Sequence, residues 1–211
     1  MVFSSKNQSY PAPCVMGSES IMSRKGPNGT SAIPVQYNLR WKCDRKTADQ
    51  ICNHNRRFAE RSGYFINRLE FYNEVKQLKA GETITFYDSN TGKPLFAAPV
   101  GRTTQEFLEE SRKHGWPSFR DDEVVWDNVR CLRGGEAVSL DGTHLGHNLP
   151  DANGSRYCIN LVSVAGRLEG DPERRDGVNG GSKGGDVAEE ENSNPKKKNW
   201  LRRKLLKMRR S

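Results

Sequence analysis

Apolar residues alternate with polar residues, or run together, in four short stretches that are bounded by Gly, Asp and Asn. This pattern predicts β-strands at Thr83–Tyr87, Val124–Leu132, Glu136–Leu140 and Tyr157–Val164. A Gly134-Gly135 pair separates the second stretch from the third and predicts a hairpin turn. The strands therefore predict a mainly β domain that is built on an antiparallel sheet.

Helical spacing of apolar residues occurs in three other segments. It predicts peripheral helices over Lys46–Arg61 and Asn67–Lys79, which would pack on the sheet. A third helix is predicted from the capping-box sequence that starts at Thr103 to a glycine stop at Gly115. This third helix is expected to lead into Trp116 and to shape the entrance of any pocket there.

Composition divides the chain into one domain and its tails. Hydrophobic residues make up 34% of the 211 residues, and 20 residues are glycines. This hydrophobic share is low for a chain that is folded from end to end. Residues 1–34 are expected to be a flexible leader that covers the domain or remains mobile. The domain is predicted at 35–168, with a helical part at 35–80 and a β core at 81–168. Residues 169–195 are predicted to be a disordered acidic, Gly-rich linker, and the protein is expected to be a monomer.

The basic charge of the chain is concentrated in its C-terminal tail. The net charge is +8, but nine Lys and Arg lie in 196–211 without an acidic residue, so removing that tail leaves −1. Leu201, Leu205 and Met208 recur there at helical spacing, which predicts a basic amphipathic segment. Such a segment suits an anionic membrane surface, an acidic partner or an import receptor, and less well nucleic acid; a solvated tail is the alternative.

The sequence shows no secretion signal and no disulfide framework, and both observations favour an intracellular protein, cytoplasmic or organellar. No apolar run reaches the length of a membrane span, and the N-terminus lacks the apolar core of a secretion signal. The cysteines are odd in number and have no regular spacing, which indicates reduced thiols rather than a disulfide framework. They are Cys14, Cys43, Cys52, Cys131 and Cys158.

The densest chemistry lies between residues 144 and 160. His144, His147 and Asp151 are followed, after a turn sequence, by Arg156 and Cys158. A cysteine is nucleophilic as its thiolate, and a guanidinium two residues earlier in a strand lies on the same face as that thiolate. Histidines supply protons near neutral pH. The alternative interpretation is a buried strand cysteine beside a structural histidine pair.

Three motifs make the chain similar to a known family. They occur in the order and with the residue types seen in the B-type methionine-R-sulfoxide reductases. The chain resembles that family from about Gly81 to Gly166. The motifs are Gly115-Trp116-Pro117-Ser118-Phe119, His144-Leu145-Gly146-His147 and Arg156-Tyr157-Cys158-Ile159-Asn160.

The resemblance implies a role for each of these residues. Cys158 would attack the sulfoxide sulfur and become a sulfenic acid, while Trp116 would enclose the substrate methyl group, with Phe119 beside it. The remaining polar residues would orient the groups, organise water and protonate the departing oxygen. They are His144, His147, Asp151, Arg156 and Asn160.

The chain departs from the family at the positions of a structural zinc. Many members carry two Cys-x-x-Cys pairs, but Asp88 and Thr91 stand at the first pair and Val138 and Asp141 at the second. Zinc requires thiolates or imidazoles at such spacing, so no zinc and no other cofactor is expected. Zinc-free members exist, so the loss does not exclude activity.

Two questions stay open at the level of sequence. Cys131 is the preferred resolving thiol, although a buried strand cysteine is equally compatible with its pattern, and thioredoxin or another external thiol is the expected reductant. The function expected is reduction of methionine-R-sulfoxide, free or in oxidised proteins. The alternative is a non-enzymatic binding protein or a redox sensor on the same scaffold, localised by its basic tail.

Overall fold

The structure is a computed structural model that describes residues 10–175, and within this range seven strands form two sheets. The smaller sheet pairs β1 (Ile84–Tyr87) with β2 (Pro94–Ala98) in antiparallel fashion. The larger sheet has the order β3-β7-β6-β5-β4, and every neighbouring pair is antiparallel. Its strands are β3 (Ser118–Phe119), β4 (Val129–Cys131), β5 (Glu136–Ser139), β6 (His144–Asn148) and β7 (Tyr157–Ile159). The mainly β, antiparallel class is confirmed.

The strand predictions were most accurate for β1 and β5. The predicted Val124–Leu132 strand is confined to β4, and the predicted Tyr157–Val164 strand ends at Ile159, where a 3-10 turn follows. The β2, β3 and β6 strands were missed. The β3 strand has only two residues, and β6 carries Gly and two His in place of an apolar alternation. The Gly134-Gly135 hairpin is confirmed, with φ of 92° and 91° at the two glycines, a backbone region that favours Gly.

The helices follow the prediction unevenly. Helix α3 (Thr104–His114) begins with the capping box and ends at left-handed Gly115, as predicted. Helix α2 (Leu69–Lys76) lies inside its predicted range. Helix α1 (Arg45–Asp49) runs into a π-helical turn at Gln50–His54 and stops there. The predicted extension to Arg61 is wrong, because long-range contacts hold the segment that follows as a loop.

An aromatic core joins the two sheets and α3. Phe119 of β3 stacks on Phe96 of β2 with ring centroids 4.3 Å apart, and Phe86 and Phe107 pack against Phe119 edge-on or tilted. All four rings are fully buried. Burial of this apolar area is the main stabilising contribution to the fold.

Residues outside the sheets extend the packing at the N-terminal side. Of the predicted 1–34 leader, residues 10–34 are described and lie on the domain, with Tyr10, Cys14 and Met22 buried. The predicted 196–211 tail, and most of the predicted 169–195 linker, lie outside the described residues. Within 10–175 no helix is long and apolar enough to cross a membrane.

Hydrogen bonds and an ion pair join the two turns where the family resemblance places zinc ligands. The buried Asp88 carboxylate accepts from Thr143 Oγ1 at 2.9 Å and from the backbone of Asn90 at 2.8 Å. Asp141 is paired with Lys93 at 2.9 Å. A single buried carboxylate, an aliphatic Val138 and a carboxylate already neutralised by lysine do not fit a tetrahedral zinc ion.

Candidate active site

The pairing register of the large sheet separates two rows of side chains on opposite faces. Because paired residues share a face and neighbours in a strand alternate, adjacent residues such as Tyr157 and Cys158 point to opposite sides. One row, here the polar row, is Glu136, His147, Cys158 and Ser118. The other, here the apolar row, is Cys131, Ala137, Gly146 and Ile159.

Cys158 is positioned by its neighbours in the polar row and by Arg156. It is partly exposed, whereas the other four cysteines are buried. The Arg156 side chain, two residues earlier on the same face, donates a hydrogen bond from Nη1 to Cys158 Sγ. Ser118 Oγ lies 4.0 Å from the same sulfur. A charge-assisted hydrogen bond of this kind stabilises a thiolate.

The two histidines lie together beside Cys158. Their rings are 5.6 Å apart and T-shaped, and His147 pairs directly across the sheet with Cys158. Burial lowers the pKa of His147, and the nearby His144 lowers it further. At neutral pH His147 is therefore mostly an uncharged imidazole that still carries one N–H donor.

Glu136 and Arg56 hold His144 in place, and sequence reasoning missed both. His144 Nδ1 lies 2.7 Å from Glu136 Oε1, and Arg56 Nε donates to the same carboxylate at 3.0 Å. Although burial acts to raise the pKa of Glu136, these hydrogen bonds from His144 and Arg56 lower it. Neither residue had a signal in the sequence, because β6 was not predicted and the pairing of Glu136 with His147 was therefore unknown.

The Asp151 carboxylate lies beside Arg156 at the edge of the candidate site and is ion-paired with two arginines. Its carboxylate accepts from Arg120 at 2.9 Å and lies 3.4 Å from Arg156 Nε. Hydrogen bonds from Arg120 lower the pKa of Asp151 to about 2. A carboxylate that is ionised throughout the working range does not deliver protons, so the geometry assigns Asp151 to positioning Arg156.

A buried loop residue, Glu60, links Trp116 to Asn160. Trp116 Nε1 donates to the Glu60 carbonyl at 3.2 Å, and the Glu60 N–H donates to Asn160 Oδ1 at 3.1 Å. The Glu60 carboxylate accepts from the N–H groups of Leu161 and Val162. Burial raises the pKa of Glu60 to about 7 in spite of these bonds.

Comparison with known proteins gives a partial relationship. No family model matches the chain. The chain is 37% identical over 93 residues to the peptide methionine sulfoxide reductase MsrB of Saccharophagus degradans. The match covers 42% of this chain and 57% of the bacterial protein, so the chain spans little more than half the length of this curated relative. The chain is thus MsrB-like over that segment.

Two predicted site residues are not brought to Cys158. Phe119 is fully buried in the aromatic core and pairs with Tyr157, on the face opposite Cys158. Cys131 is also fully buried and belongs to the apolar row. The predicted contact of Phe119 with substrate is therefore wrong, and Phe119 is a core residue. The resolving role predicted for Cys131 requires contact with Cys158, and the structure does not bring the two thiols together.

Near the rim, Glu110, His114 and Asp151 offer ligand atoms within 4.8 Å of one another, the group of metal-capable side chains found within residues 10–175. Arg120 is ion-paired with both carboxylates of this group, and Arg102 and Arg156 add a second positive charge to Glu110 and to Asp151, respectively. The negative charge that would attract a cation is thus already neutralised, and we interpret the group as an ion-pair cluster.

Proposed function

We propose that the chain is a thiol-dependent reductase of methionine-R-sulfoxide in which Cys158 is the nucleophile. The observation that carries the proposal is the placement of Cys158 between Arg156, which donates to its sulfur, and His147, which pairs across the strand. The similarity to a peptide methionine sulfoxide reductase supports oxidoreductase chemistry. The choice of the R epimer follows from the family resemblance.

In net terms, the reaction transfers one oxygen atom to Cys158. Its thiolate attacks the sulfoxide sulfur, and two protons let the oxygen depart as water, because oxide is a poor leaving group. The sulfur–sulfur bond formed in this attack breaks when water attacks the Cys158 sulfur and gives up one proton. The sulfoxide sulfur gains two electrons and leaves as the thioether. The Cys158 sulfur loses two electrons and becomes a sulfenic acid. The protonated form of His147, whose ring is next to His144, is the proton donor that we assign to this step. The lowered pKa of His147 keeps this form in the minority at neutral pH but makes it a stronger acid when it forms.

The surrounding residues orient these groups. Arg156 stabilises the thiolate and is held by Asp151, while Glu136 fixes the orientation of His144. The partly buried Trp116 indole provides a soft aromatic surface for the methyl group on the substrate sulfur. Asn160 is oriented by the same loop that binds Trp116.

An external thiol completes the cycle in this proposal. The other four cysteines are buried, and Cys131 lies on the opposite face of the sheet from Cys158. One thiol of a thioredoxin-like reductant would condense with the Cys158 sulfenic acid, releasing water and forming a mixed disulfide. A second thiol of the reductant would then release the Cys158 thiol.

A single-turnover experiment tests the proposal. Reduced protein, freed of reductant, is mixed with the R or the S epimer of a blocked methionine sulfoxide. We expect up to one thioether per chain from the R epimer, together with a dimedone adduct on Cys158. Sulfenic acid formation with peroxide but no thioether from either epimer would favour the redox-sensor alternative and overturn the reductase.

A further inference from the structure

The N-terminal segment adds to the free edge of the large sheet at β4. The Cys131 N–H donates to Val15 O at 2.9 Å, and the Gly17 N–H donates to Cys131 O at 2.8 Å. Met16 is thereby bridged in parallel to Cys131. This backbone pairing fixes the segment beside Cys131 without any contribution from the thiols.

A turn places a second thiol beside Cys131. Cys14, two residues before Met16, donates its N–H to Pro11 O at 3.1 Å, so the chain curls back at this point. The two thiols are near enough to affect each other: Cys131 lowers the pKa of Cys14, and Cys14 raises that of Cys131. Cys14 is 8% exposed and Cys131 is fully buried, so Cys14 is the thiol that an external reagent meets first.

The remaining buried cysteines have different surroundings. Cys52 interacts with Ser163 Oγ at 3.5 Å, and burial raises the pKa of both Cys52 and Cys43. Burial is the largest cause of both shifts, and no cysteine is among the other main causes. Cys43 and Cys52 therefore serve as buried control thiols in different surroundings.

We propose that Cys14 and Cys131 are a redox-modification site, which a small-molecule disulfide oxidises to an internal disulfide that fastens the N-terminal segment to β4. The Cys14 thiolate attacks one sulfur of the reagent, which releases one thiol and leaves a mixed disulfide on Cys14. The Cys131 thiol then loses its proton and attacks the Cys14 sulfur, which releases the second thiol. The chain loses two electrons and two protons, and the reagent gains them.

The site is independent of the proposed reductase. Cys131 belongs to the apolar row and Cys158 to the polar row, so the two chemistries lie on opposite faces of one sheet. The modification is therefore expected in a chain that has no nucleophile at position 158. This independence lets the two proposals fail separately.

The test uses the full chain with Cys158→Ser, incubated in its folded state with glutathione disulfide. We expect the intact mass to fall by two hydrogens, and non-reducing proteolysis to give one cross-linked pair of peptides containing Cys14 and Cys131. Dithiothreitol should reverse both changes. The oxidised form should also unfold about 5 °C higher, because the cross-link restricts the unfolded chain.

Cys14→Ser should abolish the mass loss, whereas the matched control Cys43→Ser should not. Glutathione retained on Cys14 without an internal bond, or an unchanged mass, would overturn the proposal. So would a cross-link between any other pair. The peptide mapping uses the natural Cys14 and Cys131, so it does not depend on whether the substituted chains fold.

Discussion

Two thiols in one sheet, Cys158 and Cys131, have opposite surroundings. Cys158 lies in the polar row, partly exposed, with a guanidinium on its sulfur and a histidine across the strand. Cys131 lies in the apolar row, fully buried, and interacts with another thiol that raises its pKa. The difference teaches that the face of the sheet, more than the residue type, decides which cysteine is suited to attack a substrate.

The largest expected effect is on kcat/KM, and it distinguishes a substitution on the face of Cys158 from one on the opposite face. His147→Phe removes the proposed proton donor and should lower kcat/KM by about 10²-fold or more. Tyr157→Phe on the opposite face loses its hydrogen bond to Asp121 and should leave kcat/KM within about 3-fold. Steady-state kinetics with the R sulfoxide measure both. Equal losses in the two variants would erase the contrast.

The next effect is a pH dependence of stability that arises from the buried Glu60, which is hydrogen-bonded to Trp116 and Asn160. The pKa of Glu60 is raised from 4.5 to about 7, so the folded chain retains a proton that the unfolded chain loses as pH rises between these values. The free energy of unfolding should therefore fall across this window, by about 3 kcal/mol from this residue.

Glu60→Gln should remove that fall. Urea unfolding at pH 4.5, 6 and 7.5 gives the difference between the two proteins. The stability gap between wild type and variant should shift in favour of the variant as pH rises. A gap that does not change with pH would contradict the raised pKa of Glu60.

A smaller effect is expected from the guanidinium on the cysteine. Arg156→Gln removes a charge-assisted hydrogen bond to Cys158 and should lower kcat/KM by about 10-fold. Arg130→Gln at β4, whose side chain donates to Val129 O at 2.7 Å, is the matched control and should retain activity. Loss in both would point to a general effect of arginine removal on the fold.

An effect of similar size concerns thiol reactivity without substrate. Iodoacetamide should label Cys158 about 10-fold faster than Cys131 in the folded protein, since alkylation requires an accessible thiolate. Mass spectrometry of peptides gives the two rates. Urea should bring the rates together, and equal rates before unfolding would contradict the assignment of the two faces.

Local signals in the sequence predicted the parts of the molecule that depend on near neighbours. The Thr103 capping box and the Gly115 stop lie at the two ends of α3, so the helix was visible in the sequence. The hairpin turn needs positive φ at only two adjacent positions, and both are glycines, so this turn was also visible in the sequence. Arg156 and Cys158 share a face by strand alternation alone, which the spacing predicted.

Other features depend on contacts that no local pattern records. Glu60 accepts a hydrogen bond from Leu161, 101 residues later in the chain, and Arg56 donates to Glu136, 80 residues later. These contacts hold the end of the predicted Lys46–Arg61 helix as a loop, and the local sequence pattern does not record them. The misassignment of Phe119 and the missing contact of Cys131 have one cause. Each depends on the pairing register of the large sheet, which the sequence pattern alone did not define.

The central claim is tested most directly by turnover of the two epimers of a blocked methionine sulfoxide with dithiothreitol. The account predicts R-selective turnover that Cys158→Ser abolishes and Cys131→Ser leaves nearly intact. No turnover of either epimer by folded protein, or turnover that persists in Cys158→Ser, would contradict it.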